Sequence, residues 1–339
     1  MMEIEDHRKL RIGAILPHVL LFGGVRRYVE LGNEFTARGH SFAIYTPEGC
    51  GPDWFEFRGE SRRLSSIGEP HHDVMMCGSP ELLEHLERAR AGMKVFYLQL
   101  EGITGEREIV GSGRYRIMTN STGLARRVRK LYGIEALDGR GGVNTGLFRP
   151  VPGGGRARSG TFRILCYGRM SRPRKGTRFV IDAARWMSKR GYDVELQLFD
   201  AVRPGEPDPR MGFDPGIPYR YYLNLPQSSM ASMYGGADVF VSAEHRAGWS
   251  NTAAEAAACG LPIICTRSGT EDFAVDGVSA IVVSGRYSNF LRKPMVKIYE
   301  DPDLAGRLRA EARNRIMEFT WERVVDRMER IFRENKPAG

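Results

Sequence analysis

Cysteine is scarce. The five residues Cys50, Cys77, Cys166, Cys259 and Cys265 are odd in number, scattered, and nowhere spaced as CxxC. That argues against a disulfide framework or a thiolate zinc site and makes a reducing cytoplasm the expected compartment. No run approaches the ~20 apolar residues of a membrane span, and Met1 to Lys9 is too charged for a signal peptide. Histidines number only seven, and no acidic DxD-type pair is placed to hold a divalent metal. Internal repeats and low-complexity tracts are absent.

What remains is an ordinary globular composition. The 339 residues are 42% hydrophobic and 27% charged, with 40 glycines, which suits an α/β protein rich in tight turns. The length accommodates two domains, each with its own core. Net charge is +9 and uneven: residues 1–150 carry 21 Lys and Arg against 19 Asp and Glu, which leaves +7 for the rest. A basic second half fits a phosphate-bearing ligand, an anionic membrane surface or nucleic acid equally well.

Leu10 to Leu16 reads as a buried strand, followed by a loop holding Gly23 and Gly24, a helix from about Val25 to Arg38, and a strand from Ser41 to Tyr45. This βαβ pattern implies a parallel sheet. Strand-like runs recur at Val74 to Cys77, Lys94 to Leu100 and Arg116 to Thr119, with helical patterns near 80–91 and 122–132. Residues 151–160 read as a Gly-rich linker, after which the alternation restarts: strand Phe162 to Tyr167, helix Thr177 to Arg190, strand Val194 to Phe199. The expected architecture is α/β, with doubly wound Rossmann-like domains over 1–150 and 161–320 facing a cleft. An amphipathic helix over 321–339 is expected to cross back to the first domain.

The richest segment runs from Ala247 to Gly277. Ser250, Asn251 and Thr252 can cap a helix starting near Thr252, Gly260 and Pro262 stop it, and Ile263 to Thr266 reads as a buried strand. A helix opening after a Gly loop offers free N–H groups and a positive dipole end, which is an anion site. Glu255 is expected in its first turn, beside the anion, where a carboxylate suits the paired hydroxyls of a ribose. The local pattern alone equally describes an ordinary helix with a polar cap.

AGWSNTAAEAAACGLPII resembles the donor-site signature of family 4 glycosyltransferases, EGFxNxxxEAMACGxPVI. The resemblance implies that Glu255 binds the nucleotide ribose and that the backbone of Gly248, Trp249, Ser250, Asn251 and Thr252 steadies phosphates and sugar. Where the family has its first Glu this chain has Ala247; Glu244 lies three residues upstream, and His245 is a candidate to reach the sugar instead. GRMSRPRKG (Gly168 to Gly176) resembles the GRxxxxKG element, whose Arg and Lys, here Arg169 and Lys175, clamp the donor diphosphate in place of a metal. FGGVRRYVELGNEF resembles the family's first βα unit, which brings Gly23 and Gly24 close to the donor phosphates and the acceptor. GGVNTGLFRP and TNSTGLARRVRKLYG fit the end of the first domain. The likeness runs from Leu10 to the last helix.

Many members carry a His on the strand corresponding to Lys94 to Leu100, and here the run is YLQLEG. Glu101 is the candidate to bind, or take a proton from, an acceptor hydroxyl; it equally suits capping the next segment. His18 is a candidate acceptor contact, while His71 and His72 are expected at the surface. Arg126, Arg127, Arg129 and Lys130 crowd one helix whose other face shows Leu124, Val128 and Leu131, a pattern of a solvated face or of a helix lying on anionic lipid.

The resemblance implies a GT-B enzyme, a retaining hexosyltransferase. It would move a sugar from a nucleotide-diphosphate donor to the hydroxyl of a saccharide, lipid-linked or small-molecule acceptor. No cofactor, metal or nucleic acid is expected, since base-stacking motifs are missing. The location expected is cytoplasmic, with peripheral membrane contact open. Two alternatives stay open: a non-catalytic nucleotide-binding protein on this scaffold, supported by Ala247 and the absent His, and a nucleotide-sugar epimerase, for which no catalytic carboxylate pair stands out.

Overall fold

A computed structural model describes residues 9–152, 160–203 and 205–335. The chain forms two compact units, Met1–Gly142 with Trp321–Gly339, and Val143–Thr320.

The first unit runs β1 (Arg11–Ile15), α1 (Gly23–Ala37), β2 (Ser41–Thr46), β3 (Glu60–Arg63), β4 (His71–Cys77), α2 (Leu83–Arg88), β5 (Arg90–Leu98), α3 (Glu106–Gly111), β6 (Arg116–Thr119), α4 (Thr122–Tyr132) and β7 (Leu137–Asp138). Its strands are parallel, ordered β3-β2-β1-β4-β5-β6-β7. In β1 the side chains alternate between two cores: Ile12 and Ala14 pack with Val25, Val29 and Leu31 of α1, while Ile15 joins Leu86 and Val128 on the opposite face. Both faces of the sheet are thus covered, as a parallel sheet requires. Helix α4 starts and stops where its sequence says: the Ser121 Oγ accepts from the Leu124 N–H at 3.2 Å, and Gly133 ends it at φ +69°.

The second unit runs β8 (Phe162–Tyr167), α5 (Thr177–Ser188), β9 (Val194–Asp200), β10 (Tyr219–Leu223), α6 (Gln227–Gly235), β11 (Val239–Ser242), α7 (Asn251–Ala258), β12 (Ile263–Thr266), β13 (Ile281–Val283), α8 (Ser288–Glu300) and α9 (Pro302–Ile316). Its sheet is parallel too, ordered β10-β9-β8-β11-β12-β13. The order reverses between β8 and β11, so the loops leaving these two strands diverge to either side of a crevice at their carboxyl ends. That is where open α/β sheets bind ligands.

The last helix, α10 (Trp321–Glu334), belongs to the first unit. Its Val324, Val325, Met328 and Phe332 are fully buried there, and Phe332 stacks on Phe35 at 5.9 Å. Each such side chain contributes roughly 1.5–3 kcal/mol.

Several expectations shift. Gly23 and Gly24 open α1 rather than sit in a preceding loop. The divide between units falls after Gly142, because Phe148 is buried in the second core. Most of the expected linker, residues 153–159, lies outside the described residues. The helix expected over 80–91 is a 3₁₀ turn followed by the short α2, and β5 begins already at Arg90. Leu131 is 54% exposed, not part of an apolar face. The cysteines are all free; burial pushes the thiols of Cys77, Cys166, Cys259 and Cys265 up to about 12. Among the described residues no helix is long and apolar enough to cross a membrane.

Candidate functional site

The loops leaving β8 and β11 carry the residues singled out by the sequence. After β8, a 3₁₀ turn over Pro173–Lys175 ends at Gly176, whose φ is +71°. A Cβ there would overlap the Ala243 carbonyl, so only glycine lets this turn approach the end of β11 so closely. The approach brings Lys175 Nζ to 2.6 Å from Glu244 Oε1, with the ammonium 5.2 Å from the centre of the Tyr167 ring. Glu244 is 3% exposed, and its other oxygen accepts from Ser250 Oγ at 3.4 Å. Ser250 is the N-cap residue of α7, yet its hydroxyl turns to Glu244 and makes no cap bond. Asn251 and Thr252 are the first helical residues, and no side chain caps the N–H groups of that turn. Gly248 lies in the loop before them. One carboxylate thus links a lysine to an uncapped helix N-terminus, where dipole and N–H groups favour an anion.

Glu255 is the fifth residue of α7, in its second turn rather than the first, because the helix begins at Asn251. It is 6% exposed, and its Oε2 accepts from the Tyr234 hydroxyl at 2.9 Å. Trp249 packs against Phe273 and Phe319 at 5.0 and 5.4 Å, so its side chain is part of the core and only its backbone faces the loop. The Ala247 N–H donates to Ser268 Oγ at 2.9 Å.

Arg169 is buried and already occupied. Its Nε lies 2.8 and 3.1 Å from the two oxygens of Asp200, and Nη2 donates to the Ala201 carbonyl and lies 3.4 Å from Glu206. Burial opposes its charge, but the Asp200 hydrogen bonds and charge outweigh burial and raise its pKa. Asp200 ends β9, the strand beside β8, and sequence reasoning missed it, although the pairing Tyr167↔Phe199 puts the two residues side by side.

His245 does not point freely towards a ligand. Both its ring nitrogens contact Arg286 Nη1, and its backbone N–H donates to the Arg174 carbonyl at 2.9 Å. Arg286, in the turn after β13, was missed too. Its Nη2 donates to the Pro173 carbonyl at 2.5 Å, and its guanidinium lies 5.1 Å from the centre of the Phe179 ring.

In the first unit, Gly24 lies against Gln99, whose Oε1 would sit 3.0 Å from a Cβ there. Glu101 is half-buried in the turn after β5. His18 lies against Phe22 at 5.2 Å. His72 is buried in β4, not at the surface; its Nε2 lies 2.8 Å from the Tyr45 hydroxyl, and burial lowers its pKa to about 4. On α4, Arg127 pairs with the buried Glu106 and Arg129 with Glu135 at 2.8 Å.

Known proteins fit this picture. The family model "Glycosyl transferases group 1" matches residues 161–301. The D-inositol 3-phosphate glycosyltransferase of Thermomonospora curvata is 28% identical over 257 residues, 68% of this chain and 59% of that protein, so the chain spans about three fifths of that relative's length. Among solved structures, the sucrose-phosphate synthase of Thermosynechococcus elongatus superposes with a TM-score of 0.80 at 17% identity, over 98% of this chain and all of the other. Anabaena HepE in complex with UDP-glucose does so with a TM-score of 0.73 at 15% identity, over 96% of this chain and all of the other. Two parallel-sheet units of this kind are the GT-B fold, and residues 161–301 of the second unit match the group 1 glycosyltransferases.

Proposed function

We propose that the protein transfers a sugar, a hexose, from a nucleotide-diphosphate donor to an acceptor hydroxyl with retention of anomeric configuration, and that it needs no metal to do so. The observation that carries this is the carboxylate of Glu244 joining Lys175 to Ser250 at the start of α7: a cation and uncapped N–H groups meet at the point where the strand order reverses. The donor diphosphate belongs against that start, with Lys175 neutralising charge on the leaving group as the glycosidic bond breaks. Arg169, whose Nε and Nη2 are held by Asp200, the Ala201 carbonyl and Glu206, has only its Nη1 to offer. Glu255, one turn deeper, takes the ribose hydroxyls. The relatives support a nucleotide donor: one is named for glycosyl transfer to D-inositol 3-phosphate, and one was crystallised with UDP-glucose.

The acceptor is assigned to the first unit, near Gly23, Gly24 and Glu101. Retention follows if the acceptor oxygen bonds the anomeric carbon on the face the diphosphate leaves, its proton passing to a leaving phosphate oxygen. The test is incubation with a panel of nucleotide sugars and acceptors that includes D-inositol 3-phosphate, reading free nucleoside diphosphate and, by NMR, the anomer formed. Release of nucleoside diphosphate with an α-linked product from an α-linked donor is expected. No release from any donor, or a changed sugar on an intact diphosphate, would overturn the reading.

A further inference from the structure

Lys175 and Glu244 cancel each other's charge across 2.6 Å. Arg169 is likewise matched, by Asp200 at 2.8 Å and Glu206 at 3.4 Å. Arg286 is different. It is half-buried, and among the described residues no carboxylate lies within ion-pair distance of it. Its partners are uncharged acceptors and a ring: the Pro173 carbonyl, the His245 imidazole and the face of Phe179. Its Nε is buried without a hydrogen-bond partner. Burial lowers its pKa, with Glu244 the one carboxylate near enough to work against that. A guanidinium withdrawn from water without a counter-charge is costly, and such charges are held where an anion completes them.

Its position says which anion. Arg286 bonds the same Pro173–Lys175 turn that carries Lys175, and it holds the imidazole two residues before Ala247. It therefore touches both loops, through the Pro173 carbonyl of one and His245 of the other. We infer that Arg286 is an uncompensated cation of the donor site and binds the diphosphate directly, alongside Lys175. This rests on the donor reading above and adds to it a residue outside every motif that suggested that reading. The guanidinium is pre-aimed: set over Phe179 and held at both Nη atoms, it offers a fixed positive charge to a phosphate without first ordering a flexible side chain.

The test is titration of the full chain with a nucleoside diphosphate chosen from a panel of bases, with the corresponding nucleoside as reference, for the wild type, Arg286→Gln and Arg286→Lys. The expected result is a fall of ~10–100-fold in diphosphate affinity for Arg286→Gln, unchanged nucleoside affinity, and substantial recovery in Arg286→Lys, as for loss of one charge-assisted contact. Wild-type diphosphate affinity in Arg286→Gln would overturn the inference and leave the donor reading standing. Equal losses for nucleoside and diphosphate would also overturn it, by assigning Arg286 to loop packing. Should Arg286→Gln fail to fold, Arg286→Met decides through its diphosphate-to-nucleoside affinity ratio, which falls if the contact is direct and stays at the wild-type value if it is not. If the wild type binds no nucleoside diphosphate, the donor reading itself falls.

Discussion

Arg169 and Asp200 stand side by side at the ends of neighbouring strands, Nε 2.8 Å from one carboxylate oxygen and 3.1 Å from the other, and both are shut off from solvent. Removing one partner strands the other as a buried charge, which costs about 3–5 kcal/mol. Arg169→Ala and Asp200→Ala should therefore each lower the unfolding free energy by that order in urea melts. Activity lost in these variants then reads first as lost stability. A double variant Arg169→Met/Asp200→Leu should recover much of the loss, and failure of either single variant to destabilise would show the pair to be energetically idle.

Glu255 and Tyr234 form a second buried contact, one turn inside α7. Glu255→Gln should weaken nucleoside diphosphate binding ~10–100-fold, the worth of a charge-assisted bond to a ribose hydroxyl. Tyr234→Phe removes only a neutral hydroxyl from the carboxylate and should cost ~1 kcal/mol, or about fivefold. Calorimetric titration of both variants checks the order; a larger loss in Tyr234→Phe would reverse their assignment.

On the proposed mechanism transfer should persist in excess EDTA, because that mechanism gives Lys175 the charge-neutralising part that a divalent ion would otherwise play. Lys175→Gln should lower kcat by ~10²-fold, the scale for losing one group that stabilises developing negative charge. Activity abolished by EDTA and restored by magnesium or manganese would contradict this division of labour.

His72 makes stability depend on pH. Its ordinary value is 6.5 and burial lowers it to about 4 in the folded chain, with Arg62 and Arg11 adding repulsion. Between those values the unfolded chain binds a proton that the folded chain refuses, so stability falls as pH drops from about 6.5 to about 4. The melting temperature of His72→Gln should fall less over that interval than the wild type's. Parallel curves would mean that His72 takes no part.

Some elements were legible to the residue. β6, β8, β12 and α4 have sharp boundaries because an apolar run or a Ser cap and Gly stop marks both ends. β3 was not legible: ESRR is a polar strand at a sheet edge, with nothing apolar to announce it. Helices α8 and α9 hid behind Pro294 and a dense charge pattern. In the site, Lys175 and Glu255 could be read because motifs carry them. Asp200 and Arg286 could not, since each acquires its role from a neighbour distant in sequence: Asp200 through strand pairing, Arg286 by reaching back to Pro173. The Glu255 register slipped by a fraction of a turn because a Ser-Asn-Thr run offers three capping residues, and the hydroxyl nearest the helix start serves Glu244 instead.

The docking of α10 on the first unit has a consequence for how the chain is made. Phe35 and Phe42 belong to segments that leave the ribosome early, yet the Phe332 that stacks on Phe35 emerges after the whole second unit. The unit begun first is therefore finished last. Its apolar flank stays bare during most of translation, while the contiguous second unit can close as soon as its own strands are out. A ribosome stalled just before Trp321 would hold a second unit able to close, tethered to a first unit whose apolar flank still lacks α10.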